Sequence, residues 1–212
     1  MKEIYIIGAG GFGREVAWLI ERINSVNPTW QVVGFIDDNN GIISSEQDGY
    51  KVIGNCDYLI KESMSKEIYA ICAIGSAKIR KKIIRKIKTS NVKFATLIDP
   101  SVIMSNRVTI GQGSIICAGT IITVDVQIGD HVIVNLDCTI GHDDIINDFV
   151  TIYPSVNVSG MVKIGSCVEL GTGVQIIQSK EICDETVIGA GAVIVKDIDC
   201  SGTYIGVPAK RI

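Results

Sequence analysis

The chain has 212 residues, a formal net charge of −3 and 47% hydrophobic residues. This charge balance offers no basic footprint for nucleic acid, and no apolar run reaches the length that membrane insertion requires. The seven cysteines form no Cys-x-x-Cys pair and no metal-like grouping. Since the first residues also lack a signal-peptide pattern, we expect a cytoplasmic protein with core-filling thiols and no metal site.

The first part of the chain alternates short apolar strands with amphipathic helices. Strands are predicted at 4–7, 31–36 and 68–74, and helices at 14–23 and 77–88. Such alternation is typical of an α/β domain. We therefore predict a Rossmann-like domain over residues 1–93.

A glycine-rich turn, residues 8–13, joins the first predicted strand to the first predicted helix. Bare backbone at a helix start lets an anion approach the N–H groups, which indicates a phosphate-binding turn. Asp37 and Asp38 end the second strand, about where a dinucleotide fold holds a ribose. The domain is short for a full dinucleotide site, so a mononucleotide suits it better than NAD. A turn that serves only packing stays open as an alternative.

The second part of the chain, from residue 98 to 195, repeats with a period of six. One position of the cycle is always aliphatic or Met, and the residue two before it is mostly small or β-branched, with Asp144 and Lys180 as the strong departures. The seventeen residues at the first position are Ile98, Met104, Ile110, Ile116, Ile122, Ile128, Val134, Ile140, Ile146, Ile152, Val158, Ile164, Leu170, Ile176, Ile182, Ile188 and Ile194.

A period of six fits neither a helix nor an ordinary strand, but it fits a prism in which each short strand is followed by a corner. Three strands close one coil, and both positions of the cycle face the interior. The glycine that often follows the aliphatic residue, as at Gly141 and Gly171, is expected to ease the corner through a positive φ. We predict an all-β left-handed parallel β-helix over residues 94–212 with a C-terminal tail, in preference to a β-sandwich.

The chain has only two histidines, and both lie outside the predicted interior positions. His131 is expected to be a solvated surface residue. His142 follows Gly141 at a corner and precedes two carboxylates, Asp143 and Asp144. An acid beside an exposed imidazole can orient the ring and support its protonated form, so His142 is a candidate general base. From spacing alone, a plain surface histidine is an equal alternative.

The whole chain resembles the hexapeptide-repeat acyltransferases related to sialic acid O-acetyltransferase and UDP-N-acetylbacillosamine N-acetyltransferase. The resemblance is carried by the glycine-rich turn, by Asp37-Asp38, by the stretch from residue 73 into the following helix, by residues 141–160, and by residues 206–211. It implies a homotrimer with its active site in the cleft between neighbouring prisms, and acetyl-CoA as cosubstrate without a metal.

The resemblance also implies roles for individual residues. His142 is the matching base, and Asp143 is the acid that supports it. The residues matching the nucleotide-sugar site are Gly10, Gly11, Phe12, Asp37, Asp38 and Gly75. The residues matching the acetyl-CoA site are Thr151, Gly160, Thr172 and Ala190. Some members carry a second histidine where this chain has Thr151, which puts the hydrogen bond from that position in question.

The function predicted from these residues is acetyl-CoA-dependent N-acetylation of a nucleotide-linked amino sugar for surface glycan synthesis. O-acetylation of a sugar, including a sialic acid, is the main alternative. A non-catalytic nucleotide-sugar sensor and an NAD-dependent enzyme are two further classes. The His142-Asp143 pair argues against a sensor, and the short first domain argues against NAD.

Overall fold

The computed structural model describes all residues, 1–212, and separates them into two compact units. The first spans residues 1–100 and the second residues 101–212. The division falls a little later than the predicted boundary at 93/94. Within the first unit, the guanidinium of Arg22 forms a two-pronged ion pair with the buried Asp99, Nε to Oδ2 2.6 Å and Nη2 to Oδ1 3.0 Å. This pair fastens the stretch around Asp99 to the first helix.

The first unit is a six-stranded sheet with three α-helices. Its elements are β1 (Lys2–Ile7), α1 (Gly11–Val26), β2 (Trp30–Ile36), a 3-10 turn (Asn40–Ile42), β3 (Glu46–Gln47), β4 (Tyr50–Gly54), α2 (Cys56–Ser63), β5 (Ile68–Cys72), α3 (Ala77–Ile87), β6 (Val92–Phe94) and the short β7 (Leu97–Ile98). The sheet order is β3-β4-β2-β1-β5-β6, and all pairs are parallel except β3 with β4. No helix is long and apolar enough to cross a membrane.

The glycine-rich turn leaves β1 at the centre of this sheet. Gly8 has φ +101°, in the region that favours glycine. At Gly13 a Cβ would clash with the carbonyl oxygen of Gly8, so the close approach of α1 to the turn requires a glycine there. These two glycines shape the turn itself. They bring the start of α1 to the carboxyl end of β1, where a doubly wound sheet binds ligands.

The second unit is a three-faced parallel β-helix built from two-residue strands. Face 1 contains β10 (Ile115–Ile116), β13 (Ile133–Val134), β16 (Thr151–Ile152), β19 (Glu169–Leu170), β22 (Val187–Ile188), β24 (Thr203–Ile205) and β25 (Lys210–Arg211). Face 2 contains β8 (Ile103–Met104), β11 (Ile121–Ile122), β14 (Thr139–Ile140), β17 (Asn157–Val158), β20 (Gln175–Ile176) and β23 (Val193–Ile194). Face 3 contains β9 (Thr109–Ile110), β12 (Gln127–Ile128), β15 (Ile145–Ile146), β18 (Lys163–Ile164) and β21 (Glu181–Ile182).

The strands of successive coils pair in parallel, and only the terminal β25 pairs antiparallel, with β24. Ile140 lies beside Val158, and Val158 beside Ile176, so successive coils stack residues that lie 18 apart. The aliphatic position is buried in every cycle from Ile116 to Ile194, and the position two before it is buried in nearly all of them. The predicted fold, a Rossmann-like domain followed by a β-helix of hexapeptide repeats, is confirmed.

The corners correct one expectation about glycine. Positive φ falls three residues after the aliphatic position, as at Asp143 (φ +61°) and Gly173 (φ +72°), and not at the glycine that directly follows it. Gly141 and Gly171 have another role: a Cβ would lie 2.5 Å from the Gly160 nitrogen and 2.6 Å from the Ala190 nitrogen, respectively. These glycines allow one coil to stack closely on the next.

Candidate active site

His142 lies on the corner that follows β14, where face 2 turns into face 3. Its Nδ1 is 2.7 Å from Oδ2 of Asp143, and the two side chains are 55% and 58% exposed. Neighbouring residues of an extended chain point apart, but the left-handed φ of Asp143 turns its carboxylate back toward the imidazole. The corner therefore presents an oriented imidazole to solvent beside an acid.

Gly160 lies in the next coil, directly over His142 in the stack. A Cβ at this residue would be 2.5 Å from Nε2 of His142, so the absence of a side chain makes room for the ring. The backbone is joined here as well, since the N–H of Met161 donates to the carbonyl oxygen of His142 at 2.8 Å. His142 and Gly160, two of the predicted site residues, are thus in contact.

Asp144 lies close to His142, and its role cannot be predicted from the sequence. It is fully buried inside the β-helix, two residues after His142. Its Oδ2 accepts the N–H of Gly141 at 3.0 Å, and its Oδ1 accepts the N–H of Val162 at 2.8 Å. Burial raises the pKa of Asp144 to about 7, against the lowering effect of these two hydrogen bonds.

Face 2 connects the His142 corner to a second corner. Thr139 and Asn157 point outward from neighbouring strands, and the Thr139 hydroxyl donates to Oδ1 of Asn157 at 2.7 Å. Thr172 and Ala190 lie across this face, exposed on the stacked corners between face 1 and face 2. The sequence does not predict this polar pair on face 2, because the outward positions of the repeat vary without a pattern.

Thr151 lies on face 1, in β16, and is only 1% exposed. Face 1 does not border the corner that carries His142, which joins face 2 to face 3. The structure therefore brings together His142, Asp143 and Gly160 on one corner, and Thr172 and Ala190 on another, but it leaves Thr151 apart from both.

His131 differs from the expected solvated residue. It lies on the corner between face 3 and face 1, is 4% exposed, and stacks on Phe149 with ring centroids 5.2 Å apart. The expectation was wrong because the aromatic residue 18 positions later covers the ring. A Cβ at Gly113, in the preceding coil, would clash with the imidazole, so His131 is enclosed from both sides.

In the first unit, the predicted nucleotide-sugar residues divide into two groups. Gly10 has open space where a Cβ would be, and at Gly11 only the end of the Arg14 side chain comes within 4.0 Å. Phe12 follows them, partly exposed in the first turn of α1. Unlike Gly8 and Gly13, Gly10 and Gly11 are therefore not required by the packing of the protein.

Asp37 and Asp38 point to different partners. Asp37 accepts the N–H of Ala9 through Oδ2 at 3.0 Å, which ties it to the glycine-rich turn. Asp38 accepts the N–H of Cys56 at 2.9 Å and lies 3.7 Å from Lys86, so it faces the start of α2 instead. The pKa of the Asp38 carboxyl is lowered by these contacts although burial acts in the other direction.

Gly75 belongs to the loop that follows β5, the strand beside β1. The buried Arg80 holds this loop through hydrogen bonds from Nη1 to the carbonyl oxygens of Ile74 (2.7 Å) and Gly75 (3.0 Å). The side chain of Ile74 would be 3.0 Å from a Cβ at Gly8, so the loop packs against the glycine-rich turn. Neighbouring parallel strands thus bring Gly75 and the turn to the same edge of the sheet.

Most of the cysteines lie in the protein interior. Five of the seven are buried, and burial raises the pKa of Cys56 and Cys72 to about 12. A thiol needs its thiolate form to act as a nucleophile, which these environments oppose. No group of three or more His, Cys, Asp or Glu residues is arranged to hold a metal ion.

Comparison with known proteins agrees with this architecture. Residues 3–87 match the family described as the PglD N-terminal domain. A GDP-perosamine N-acetyltransferase of Escherichia coli is 29% identical over 175 residues, which cover 82% of this chain and 77% of the relative.

Solved structures also match over the full chain. The acetyltransferase domain of PglB from Neisseria gonorrhoeae, in complex with acetyl coenzyme A, superposes with a TM-score of 0.90 at 32% identity and covers 100% of this chain and 99% of that one. PerB from Caulobacter crescentus, in complex with CoA and GDP-perosamine, gives a TM-score of 0.89 at 29% identity, with 100% and 98% covered. Because the likeness includes both units, the protein is an acyltransferase and belongs to the hexapeptide-repeat sugar acetyltransferase family.

Proposed function

We propose that the protein transfers an acetyl group from acetyl-CoA to the amino group of a nucleotide-linked sugar, for surface glycan synthesis in the cytoplasm. The observation that carries this proposal is the exposed His142–Asp143 pair packed over Gly160. The relatives in complex with acetyl-CoA, CoA and GDP-perosamine support the choice of both substrates.

His142 is the general base in this proposal. Asp143 accepts a hydrogen bond from the Nδ1–H of His142. In this tautomer Nε2 carries no proton, and its lone pair is available to the reacting group. As the neutral sugar amine attacks the thioester carbonyl, a C–N bond forms and Nε2 takes a proton from that nitrogen. The C–S bond then breaks, and the departing sulfur takes the proton from Nε2, which gives free CoA and restores the neutral imidazole.

The acetyl carbonyl oxygen becomes negatively charged during the attack. A backbone N–H near Gly160 is the proposed donor to this oxygen, since this glycine lies against the imidazole and brings main chain close to the reacting atoms. No covalent enzyme intermediate is needed, because the sugar nitrogen attacks the thioester directly. Catalysis then depends on positioning, which can contribute up to ~7–11 kcal/mol.

The acceptor substrate is assigned to the first unit. Gly10 and Gly11 leave the start of α1 open, Phe12 follows them, and Gly75 lies at the same edge of the sheet. Backbone N–H groups at a helix start suit the phosphates of a nucleotide sugar. Asp37, fastened to the turn through Ala9, is the favoured ribose acceptor, whereas Asp38 faces α2 and is assigned a supporting role.

Acetyl-CoA is assigned to face 2 of the β-helix, with Gly160, Thr172 and Ala190 on the two corners that border it. Thr151 was predicted for the same site, but its burial argues for a structural role. The active form is proposed to be a homotrimer, because the outward Ile103 and Ile121 on face 2 are 65% and 40% exposed in the single chain. Light scattering tests this, and three times the chain mass of 22.8 kDa is expected.

A comparison of acceptors tests the function. Acetyl-CoA is offered with a nucleotide-linked amino sugar, with its hydroxyl counterpart and with free sialic acid, and CoA release is followed. We expect kcat/KM for the amino sugar to exceed that for either hydroxyl acceptor by at least about tenfold, or ~1.4 kcal/mol. Preference for a hydroxyl acceptor contradicts N-acetylation and supports O-acetylation.

A further inference from the structure

One interior position of the β-helix carries an ionisable carboxyl group two residues from the proposed base. In the column that contains it, the residues stacked 18 apart are Val126, Asp144, Val162 and Lys180. Lys180 reaches the surface, where its Nζ lies 3.7 Å from Asp197. Asp144 does not reach the surface, because its side chain is fully buried. A buried carboxylate is costly, so its presence two residues after His142 calls for a specific use.

The two oxygens of Asp144 bind backbone on both sides of the corner. Oδ2 accepts the N–H of Gly141, the residue before His142, at 3.0 Å. Oδ1 accepts the N–H of Val162 at 2.8 Å, in the coil that contains Gly160. One side chain thus joins the start of the corner that carries the imidazole to the coil against which the imidazole packs.

Ser114 is the matching residue at another corner of the β-helix. It occupies the same position of the six-residue cycle, is fully buried, and accepts the N–H of Val132, 18 residues later, at 3.0 Å. Its hydroxyl donates to the carbonyl oxygen of Gly129 at 2.9 Å. A neutral hydroxyl therefore suffices to pair the backbone between two coils, and the bond to Gly141 is what the carboxylate of Asp144 adds.

We propose that Asp144 is a positioning residue for the reaction: its carboxylate fixes the backbone of the His142 corner against the Gly160 coil and so sets the distance between the imidazole and the main chain there. The inference rests on the proposed function of His142. Ionised Asp144 can accept both N–H groups, whereas a protonated carboxyl must place an O–H where one acceptor stood. The charged groups nearest to it are His142, which lowers its pKa, and Asp143, which raises it.

Replacement by the residue that stacks in the same column, Asp144→Val, removes both hydrogen bonds and keeps the interior apolar. We expect kcat to fall on the order of 10- to 100-fold, with KM for both substrates within about threefold of the parent, because alignment and not binding is lost. Asp144→Ser restores the bond to Val162, by analogy with Ser114, and is expected to recover part of the rate. Ser114→Ala is the control, expected to lower the melting temperature and keep kcat within about twofold.

A second readout does not depend on activity. Because the chain has only two histidines, the imidazole resonances of His142 and His131 can be followed separately by NMR. Asp144→Val is expected to shift and broaden the His142 signals and to leave those of His131 unchanged. Ser114→Ala is expected to leave the His142 signals unchanged.

The outcomes separate this inference from the proposed function. If Asp144→Val turns over at the parent rate while His142→Ala is inactive, the positioning role is wrong and the base stands. If His142→Ala is fully active, the base is wrong, and unchanged His142 resonances in Asp144→Val would overturn the positioning role independently. Should Asp144→Val fail to fold, the same two measurements on folded Asp144→Ser decide, and parent values for both overturn the proposal.

Discussion

The two histidine corners are made from the same repeat, yet they perform opposite tasks. At the His131 corner, the ring lies between Gly113 and Phe149 and is almost excluded from water. At the His142 corner, the ring lies over Gly160, binds Asp143 and is more than half exposed. His131 stands three residues after its aliphatic position and His142 two residues after. The position in the cycle does not decide the role, because Asp143 occupies the same position as His131 and is 58% exposed. The cover that Phe149 provides makes His131 a packing residue.

The largest difference is expected from removing each imidazole. His142→Ala should lower kcat on the order of 10²- to 10⁴-fold with little change in melting temperature, because the ring is exposed and acts in proton transfer. His131→Ala should keep most of the activity and lose about 1–3 kcal/mol of unfolding free energy, since it empties a stacked site. CoA release and thermal unfolding of both variants test the contrast, and near-parent turnover by His142→Ala would sink the assignment.

Adding one methyl group beneath each ring sharpens the comparison. In Gly160→Ala the Cβ would lie 2.5 Å from Nε2 of His142, so the ring must shift, and kcat should fall on the order of 10²-fold. In Gly113→Ala the methyl group clashes with His131, and the residue must keep the φ of +70° that Gly113 has. Stability should therefore fall by about 1–3 kcal/mol, with activity retained. Equal loss of stability in both variants, without a selective loss of kcat, would contradict the difference between the corners.

The buried polar residues near the corners should differ in their response to pH. The pKa of Asp144 is raised to about 7 in the folded protein, from 3.8, so the folded state holds this proton more tightly than the unfolded state. The parent should therefore lose stability relative to Asp144→Val as pH rises from about 4 to 7, by about 3 kcal/mol. Ser114→Ala should show a constant difference from the parent. Denaturant unfolding at several pH values measures this. A difference in unfolding free energy between the parent and Asp144→Val that does not change with pH would contradict the raised pKa of Asp144.

The smallest effect is expected at the acid beside the base. Asp143→Asn keeps an oxygen that can accept from Nδ1 but removes the charge, and the pair is well exposed to solvent. We expect kcat to fall about tenfold, or ~1.4 kcal/mol. Asp137→Asn is the matched control, because Asp137 has the same left-handed backbone one cycle earlier (φ +55°). A similar loss of kcat in both variants would show that the effect comes from general electrostatics and not from the loss of the charged partner of His142.

The sequence predicts the period, the interior and the corner that carries His142, because stacking imposes one residue class on one position of the cycle. It does not predict contacts between coils. The covering of His131 by Phe149 depends on a residue 18 positions away, and so does the bond from Val162 to Asp144. The departure of Asp144 from the pattern was visible in the sequence, and it is the signal that could have drawn attention to this residue.

In the first unit, the sequence indicates the glycine-rich turn but not the division of labour within it. Gly8 and Gly13 are needed by backbone packing, while Gly10 and Gly11 face open space. The same holds for the adjacent acids, since only Asp37 bonds to the turn. Neighbouring residues of a sequence motif look equivalent until the direction of each side chain is known, and that direction is set by tertiary contacts.

The spacing of 18 residues between stacked positions bears on how such a chain can change its length. A gene duplication that inserts 18 residues adds one complete coil and leaves every interior side chain in phase. An insertion of a single residue between His142 and Gly160 would instead move each following aliphatic residue out of the interior. Variation in length within this unit should therefore occur in whole coils, or in loops that leave the cycle, and the stack below and above the histidine should evolve as one block.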